Sequence, residues 1–119
     1  MVGLSTCKET QLIVELRIYH CAPGRLPALH QRFENITLKF WDHYGIRQIG
    51  FWTNLVGPSN QTLTYMLQWE SLAEREQKWN AFASDPSWLA QRAASEAEAI
   101  IVERIENQFL MPTSYSALR

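Results

Sequence analysis

"QLIVELRIYH", residues 11–20, is the stretch that decides the fold. Leu12, Val14, Leu16 and Ile18 fall on one side of it, and Ile13, Glu15, Arg17 and Tyr19 on the other. A period of two is that of a strand, because successive side chains point to opposite faces. The first face is wholly aliphatic. The second carries a carboxylate, a guanidinium and a phenol in a row. The simplest expectation gives the aliphatic face to a helical layer. Ile13 and Tyr19, with Met66 from a later strand, then lie on the uncovered face.

Working outward, "CAPGRLP" (residues 21–27) is a turn by its proline and glycine. "ALHQRFENITLKFWDHY" (28–44) predicts a helix whose inner face is Leu29, Phe33, Ile36 and Phe40 at the 3.6-residue period, closed by Gly45. "IRQIGFWTNLVG" (46–57) and "TLTYMLQWE" (62–70) are strand-like and form a hairpin across the turn "GPSNQ". "SLAEREQKWNAFAS" (71–84) opens with Ser71 and Glu74 in a capping-box spacing. Leu72, Trp79, Phe82 and Ala83 are its expected buried side. Asp85-Pro86 then breaks the helix. Proline disfavours helix in the residue before it, while Asp85 can cap and Pro86 can open a second helical piece. "IIVERIENQFLMP" (100–112) is the fourth strand. The fold class is therefore α+β, ferredoxin-like β-α-β-β-α-β with the second helix broken at Asp85-Pro86. A sheet with helices on one face leaves the other in need of cover. A second copy, sheet facing sheet, is the economical solution.

The chain has 119 residues, the length of one domain: residues 1–10 read as a short flexible leader and 11–119 as a single folded unit. A net charge of −1 gives no electrostatic case for nucleic acid. No apolar run of about 18 residues is present, so no membrane span is expected. No basic-then-apolar signal opens the sequence, which points to the cytoplasm. Cys7 and Cys21 lack any CxxC or Cys–His spacing and read as free thiols.

Metal chemistry has no support in the spacing. His30 and His43 share one predicted helix and would stand ~20 Å apart, too far to share an ion. No metal and no cofactor are expected. Haem needs only one axial histidine, and an absorbance spectrum with added haem decides that case. No nucleophile elbow occurs, and His20 and Cys21 point to opposite faces of a strand.

Three residues are candidates for chemistry. Arg17 offers planar donors suited to a carboxylate, and the Tyr19 hydroxyl can donate to a carbonyl or enolate oxygen. His43, near the end of the first helix, titrates near neutrality and can move a proton. Each has a plainer reading: Glu15, Arg17 and Tyr19 as an interface network, His43 as a cation at a helix C-terminus. The five Trp, four Tyr and five Phe divide in the same way. They fill a core and an interface, or a subset (Trp52, Tyr65, Trp69 and Trp88) lines an apolar ligand pocket.

"VELRIYHCAPGRLPALHQRF", "GFWTNLVGPSNQ", "WESLAEREQKWNAFASDPSW" and "NQFLMPTSYSAL" together resemble the NIPSNAP family, over residues 12–118. The family's Glu-Leu-Arg-x-Tyr strand motif falls on Glu15, Leu16, Arg17 and Tyr19. Its Trp-Glu-Ser-Leu, Arg and Asp-Pro-x-Trp elements fall on residues 69–72, on Arg75 and on residues 85–88. The version here is similar to the compact bacterial kind. The resemblance implies a dimeric α/β-barrel made of two ferredoxin-like units through their sheet faces. The superfamily includes antibiotic biosynthesis monooxygenases, haem-degrading enzymes, dye-decolourising peroxidases and muconolactone isomerases. It assigns no activity by itself. The expectation is a homodimer that binds a small, mostly apolar, oxygenated metabolite, with cofactor-independent isomerisation or oxygenation as its chemistry if it is an enzyme. The alternative is a non-catalytic dimeric interaction module.

Overall fold

A computed structural model of the chain describes residues 12–119. The leader assigned to residues 1–10 and Cys7 lie outside the described residues. Strand β1 (Ile13–Cys21) is followed by helix α1 (residues 26–44), β2 (Arg47–Thr53), β3 (Thr62–Trp69), α2 (Leu72–Ala83), α3 (Pro86–Ser95) and β4 (Val102–Leu110). The four strands form one antiparallel sheet in the order β2-β3-β1-β4, the ferredoxin-like order. β1 lies at its centre, with Arg17 opposite Tyr65 on β3 and Asn107 on β4.

The break between α2 and α3 follows the local chemistry of its residues. Asp85 is extended (φ −63°, ψ 120°), and its side chain accepts from the backbone N–H groups of Ser87 and Trp88. Its other oxygen accepts from the Tyr44 hydroxyl at 2.6 Å, which ties the end of α1 to the break. Ser71 caps α2 by accepting from the Glu74 N–H. Glu74 reaches back to the N–H of Glu70, one residue ahead of the usual capping-box target.

Two expectations are overturned. The helices do not cover the aliphatic face of β1. Ile13, Glu15, Arg17, Tyr19 and Cys21 point into the core, with Leu63, Tyr65, Leu67 and Trp69 beside them on β3. Val14, Leu16 and Ile18 sit on the open face, and of the trio assigned there only Met66 joins them. The mixed face can be buried because its charges are fully partnered.

The second correction concerns α1. It is α-helical over Leu26–Arg32 and Leu38–Tyr44 but a π-turn over Phe33–Thr37, closed by the Leu38 N–H bonding the Phe33 carbonyl. The extra residue in that turn moves the inner face on by one. Thr37 and Trp41 are buried where Ile36 and Phe40 were expected, and the latter two are half-buried at its flank. Helix α2 is also more exposed than expected: Leu72 and Ala83, assigned to its buried side, are exposed.

Candidate functional site

The centre of the molecule is a charged network built on β1. Glu15 is fully buried and accepts five hydrogen bonds: from Trp69 Nε1, from Arg75 Nε and Nη2, from Asn107 Nδ2 and from Arg17 Nη1. Burial pushes its carboxyl up, but the bonds from Arg75, Asn107 and Trp69 outweigh that and hold it below the usual carboxylate range. Arg17 is spent in three directions. Its Nη1 meets Glu15, its Nε donates to the Tyr65 hydroxyl at 2.7 Å, and its Nη2 reaches Tyr19 at 3.3 Å. Burial opposes its cation, yet the two phenols and Glu15 raise it above the ordinary arginine value. Its guanidinium also lies 4.7 Å from the centre of the Trp79 ring, in cation–π range.

The network ends in a directed donor. Arg17 Nε–H donates to Tyr65, and Tyr65 O–H donates to Tyr19 at 2.9 Å. Burial and the neighbouring Tyr19 push the Tyr65 hydroxyl well above the phenol range, against the pull of Arg17, so Tyr65 stays a donor. Tyr19 oxygen thus accepts from two sides, and no described residue takes its own proton.

Tyr19 borders a cavity of about 440 Å³ between the helical layer and the β1–β4 side of the sheet. Arg17 and Tyr19 line it from the sheet, and Phe33, Thr37, Trp41, Trp79, Phe82 and Trp88 from the helices. Arg32, Arg92 and Glu96 stand at its α1–α3 side. The aromatic walls pack edge-on and tilted against one another, with Phe82 and Trp88 centroids 4.7 Å apart and Phe33 and Trp41 5.6 Å apart. Of the ligand candidates read from the sequence, Trp88 lines this space, held there by the Asp85 break. Tyr65 backs it through Tyr19, and Trp69 is committed to Glu15. Trp52 is half-exposed and borders a second, more open cavity with His30, Glu34 and Phe51. His43 is exposed, stacks edge-on against Tyr44 and borders neither cavity. The structure therefore brings Arg17, Tyr19, Tyr65 and Trp88 together and leaves His43 and Trp52 apart.

Sequence reading missed Thr37, Trp41 and Arg32. The signal was available as a four-residue stripe, Leu29-Phe33-Thr37-Trp41, but the apolar Ile36 and Phe40 fit an unbroken α-helix better. Among the described residues no three of His, Cys, Asp and Glu converge, and no helix is long and apolar enough to cross a membrane.

The NIPSNAP family model matches residues 14–117. The chain belongs to the NIPSNAP family. Among solved structures, a NIPSNAP family protein from Agrobacterium tumefaciens is similar at 26% identity and a TM-score of 0.80, covering 91% of this chain and 99% of that one. An uncharacterized NIPSNAP-like domain protein from Burkholderia xenovorans is similar at 26% identity and a TM-score of 0.75, covering 90% of each chain. A second Agrobacterium tumefaciens protein, described as of unknown function, shares the fold at 23% identity and a TM-score of 0.79 over 92% of this chain and 96% of its own. No curated protein matches. The NIPSNAP motif positions acquire a physical meaning in this chain. Glu15, Arg17, Tyr19, Trp69 and Arg75 are one hydrogen-bonded cluster, although they come from two strands and a helix. Asp85, Pro86 and Trp88 form the break that seats an indole in the cavity wall.

Proposed function

We propose that this NIPSNAP protein binds a small, mostly apolar, oxygenated metabolite in the 440 Å³ cavity, one in each protomer of a homodimer. The observation that carries the proposal is the Tyr19 hydroxyl. It is polarised by Arg17 and Tyr65, leaves its proton unclaimed by any described residue, and belongs to a residue that lines an aromatic-walled space. Such a donor suits a carbonyl or enolate oxygen, and the charge on Arg17 strengthens it without needing to move. The cavity volume lies in the range of small-molecule sites, which favours a ligand over a purely structural module. If the bound molecule reacts, Tyr19 and Arg17 are the groups that would stabilise a developing oxyanion during isomerisation or oxygenation of an enolisable or activated aromatic substrate. His43 has no part in this proposal. The dimer is supported by the open sheet face, where Leu16, Ile18 and Met66 form a partly exposed aliphatic surface that the chain's own helices do not cover.

Fluorescence titration with aromatic ketones and phenols tests the binding. Tryptophans 41, 79 and 88 line the cavity, so quenching is expected. The Tyr19→Phe variant should bind about tenfold more weakly, the cost of one hydrogen bond to a polarised donor. A panel that neither binds nor turns over would contradict the proposal.

A further inference from the structure

Two buried polar atoms on residues that line the cavity have no partner. The Trp41 indole N–H and the Thr37 hydroxyl are both buried and make no hydrogen bond to any described residue. Both residues line the cavity. They stand four positions apart on the inner face of α1, and the π-turn at Phe33–Thr37 is what brings that face inward. A buried unpaired donor is costly, and two on residues of one cavity point to an occupant that satisfies them. An indole N–H can only donate, so the occupant must present an acceptor. π-turns within α-helices frequently mark functional sites.

Charge narrows the occupant further. Four guanidiniums line the cavity, Arg17, Arg32, Arg92 and Arg104, against two carboxylates, Glu96 and Glu103. Glu15 serves both Arg17 and Arg75. Arg32 is buried, yet its partners are distant: Ser95 Oγ at 3.3 Å and Glu96 at 3.5 Å, beyond the usual charge-assisted length. The lining therefore carries more cations than anions, and Arg32 is the buried one among them without a close partner, which is costly.

We infer that the bound molecule is a flat, ring-bearing carboxylic acid whose carboxylate accepts from Trp41 Nε1 and Thr37 Oγ1, in a cavity that Arg32 also lines. The inference rests on the ligand-binding reading above and specifies the chemistry of the ligand. The ring stacks among Phe33, Trp79 and Trp88, and a second oxygen on it reaches Tyr19.

Benzoate and 1-naphthoate, each compared with its carboxamide, test this on the full ¹⁵N-labelled chain. The probes are followed through the assigned indole N–H signals. The acids should bind at least tenfold more tightly than the amides and should shift the Trp41 signal. Thr37→Val keeps the shape and removes the hydroxyl, and it should weaken naphthoate about fivefold, the loss of one net hydrogen bond. Should Thr37→Val fail to fold, the Trp41 signal and the acid–amide ratio in the wild-type chain still decide. If acid and amide bind alike, or bind while the Trp41 signal stays in place and those of Trp79 and Trp88 move, the inference falls and the pocket reading stands. If no probe moves any indole in the cavity at millimolar concentration, both fall.

Discussion

Glu15 is the residue on which the interior turns. It sits fully buried with five donors around it, so removing its charge strands two guanidiniums. Glu15→Gln should lower the unfolding free energy by about 3 kcal/mol, the low end for breaking a buried ion pair, as measured by urea denaturation. The same group sets a pH dependence. Its folded pKa lies below the ordinary glutamate value of 4.5, so its contribution is present above that value and is lost as pH falls through the lower, folded one. Stability should therefore decline on acidification below about pH 4.5, and Glu15→Gln should flatten that decline in thermal melts across the acid range. An unchanged acid profile in the variant would place the lability elsewhere. Tyr65→Phe probes the relay: it removes the hydroxyl that bridges Arg17 Nε and Tyr19, leaves the direct 3.3 Å Arg17–Tyr19 contact, and should cost about 1–2 kcal/mol in the same urea assay.

At the scale of elements, legibility in the sequence followed how local the cause was. The Asp85-Pro86 break was readable because the cap, the missing N–H and the proline constraint all act within four residues. Asp85→Ala removes two backbone hydrogen bonds and the Tyr44 contact, and should lower stability by about 1 kcal/mol in thermal denaturation. The strands were readable from alternation alone. The facing of β1 was not, since a carboxylate is buried only if partners arrive from afar, and Arg75 lies 60 positions on and Asn107 92 positions on. The π-turn was hidden for a different reason: Ile36 and Phe40 satisfy a regular 3.6-residue period, and nothing nearby marks the added residue. The candidate site divides accordingly. Arg17, Tyr19 and Trp88 were legible from residue type and from the break, whereas Thr37, Trp41 and Arg32 became visible only once the helix was placed over the sheet.

At the scale of the whole molecule, the sheet has one face under helices and one face open. Leu16 and Met66 are paired neighbours at the middle of the open face. A second copy laid on that face would bury an aliphatic surface at about 25 cal/mol per Å². The wild-type chain should sediment at the mass of two chains, and Leu16→Asp, which places a charge there, at the mass of one. A wild-type chain that sediments as a single copy at high concentration would remove the dimer. The pocket is a separate matter, since it lies on the helical side and is formed within one chain. The most direct measurement of the central claim is native mass spectrometry of the protein as purified, repeated after incubation with a cell extract. The expected result is a persistent small adduct, one per chain, that is lost in Tyr19→Phe. Bare protein in both conditions would contradict the claim that this cavity exists to hold a metabolite.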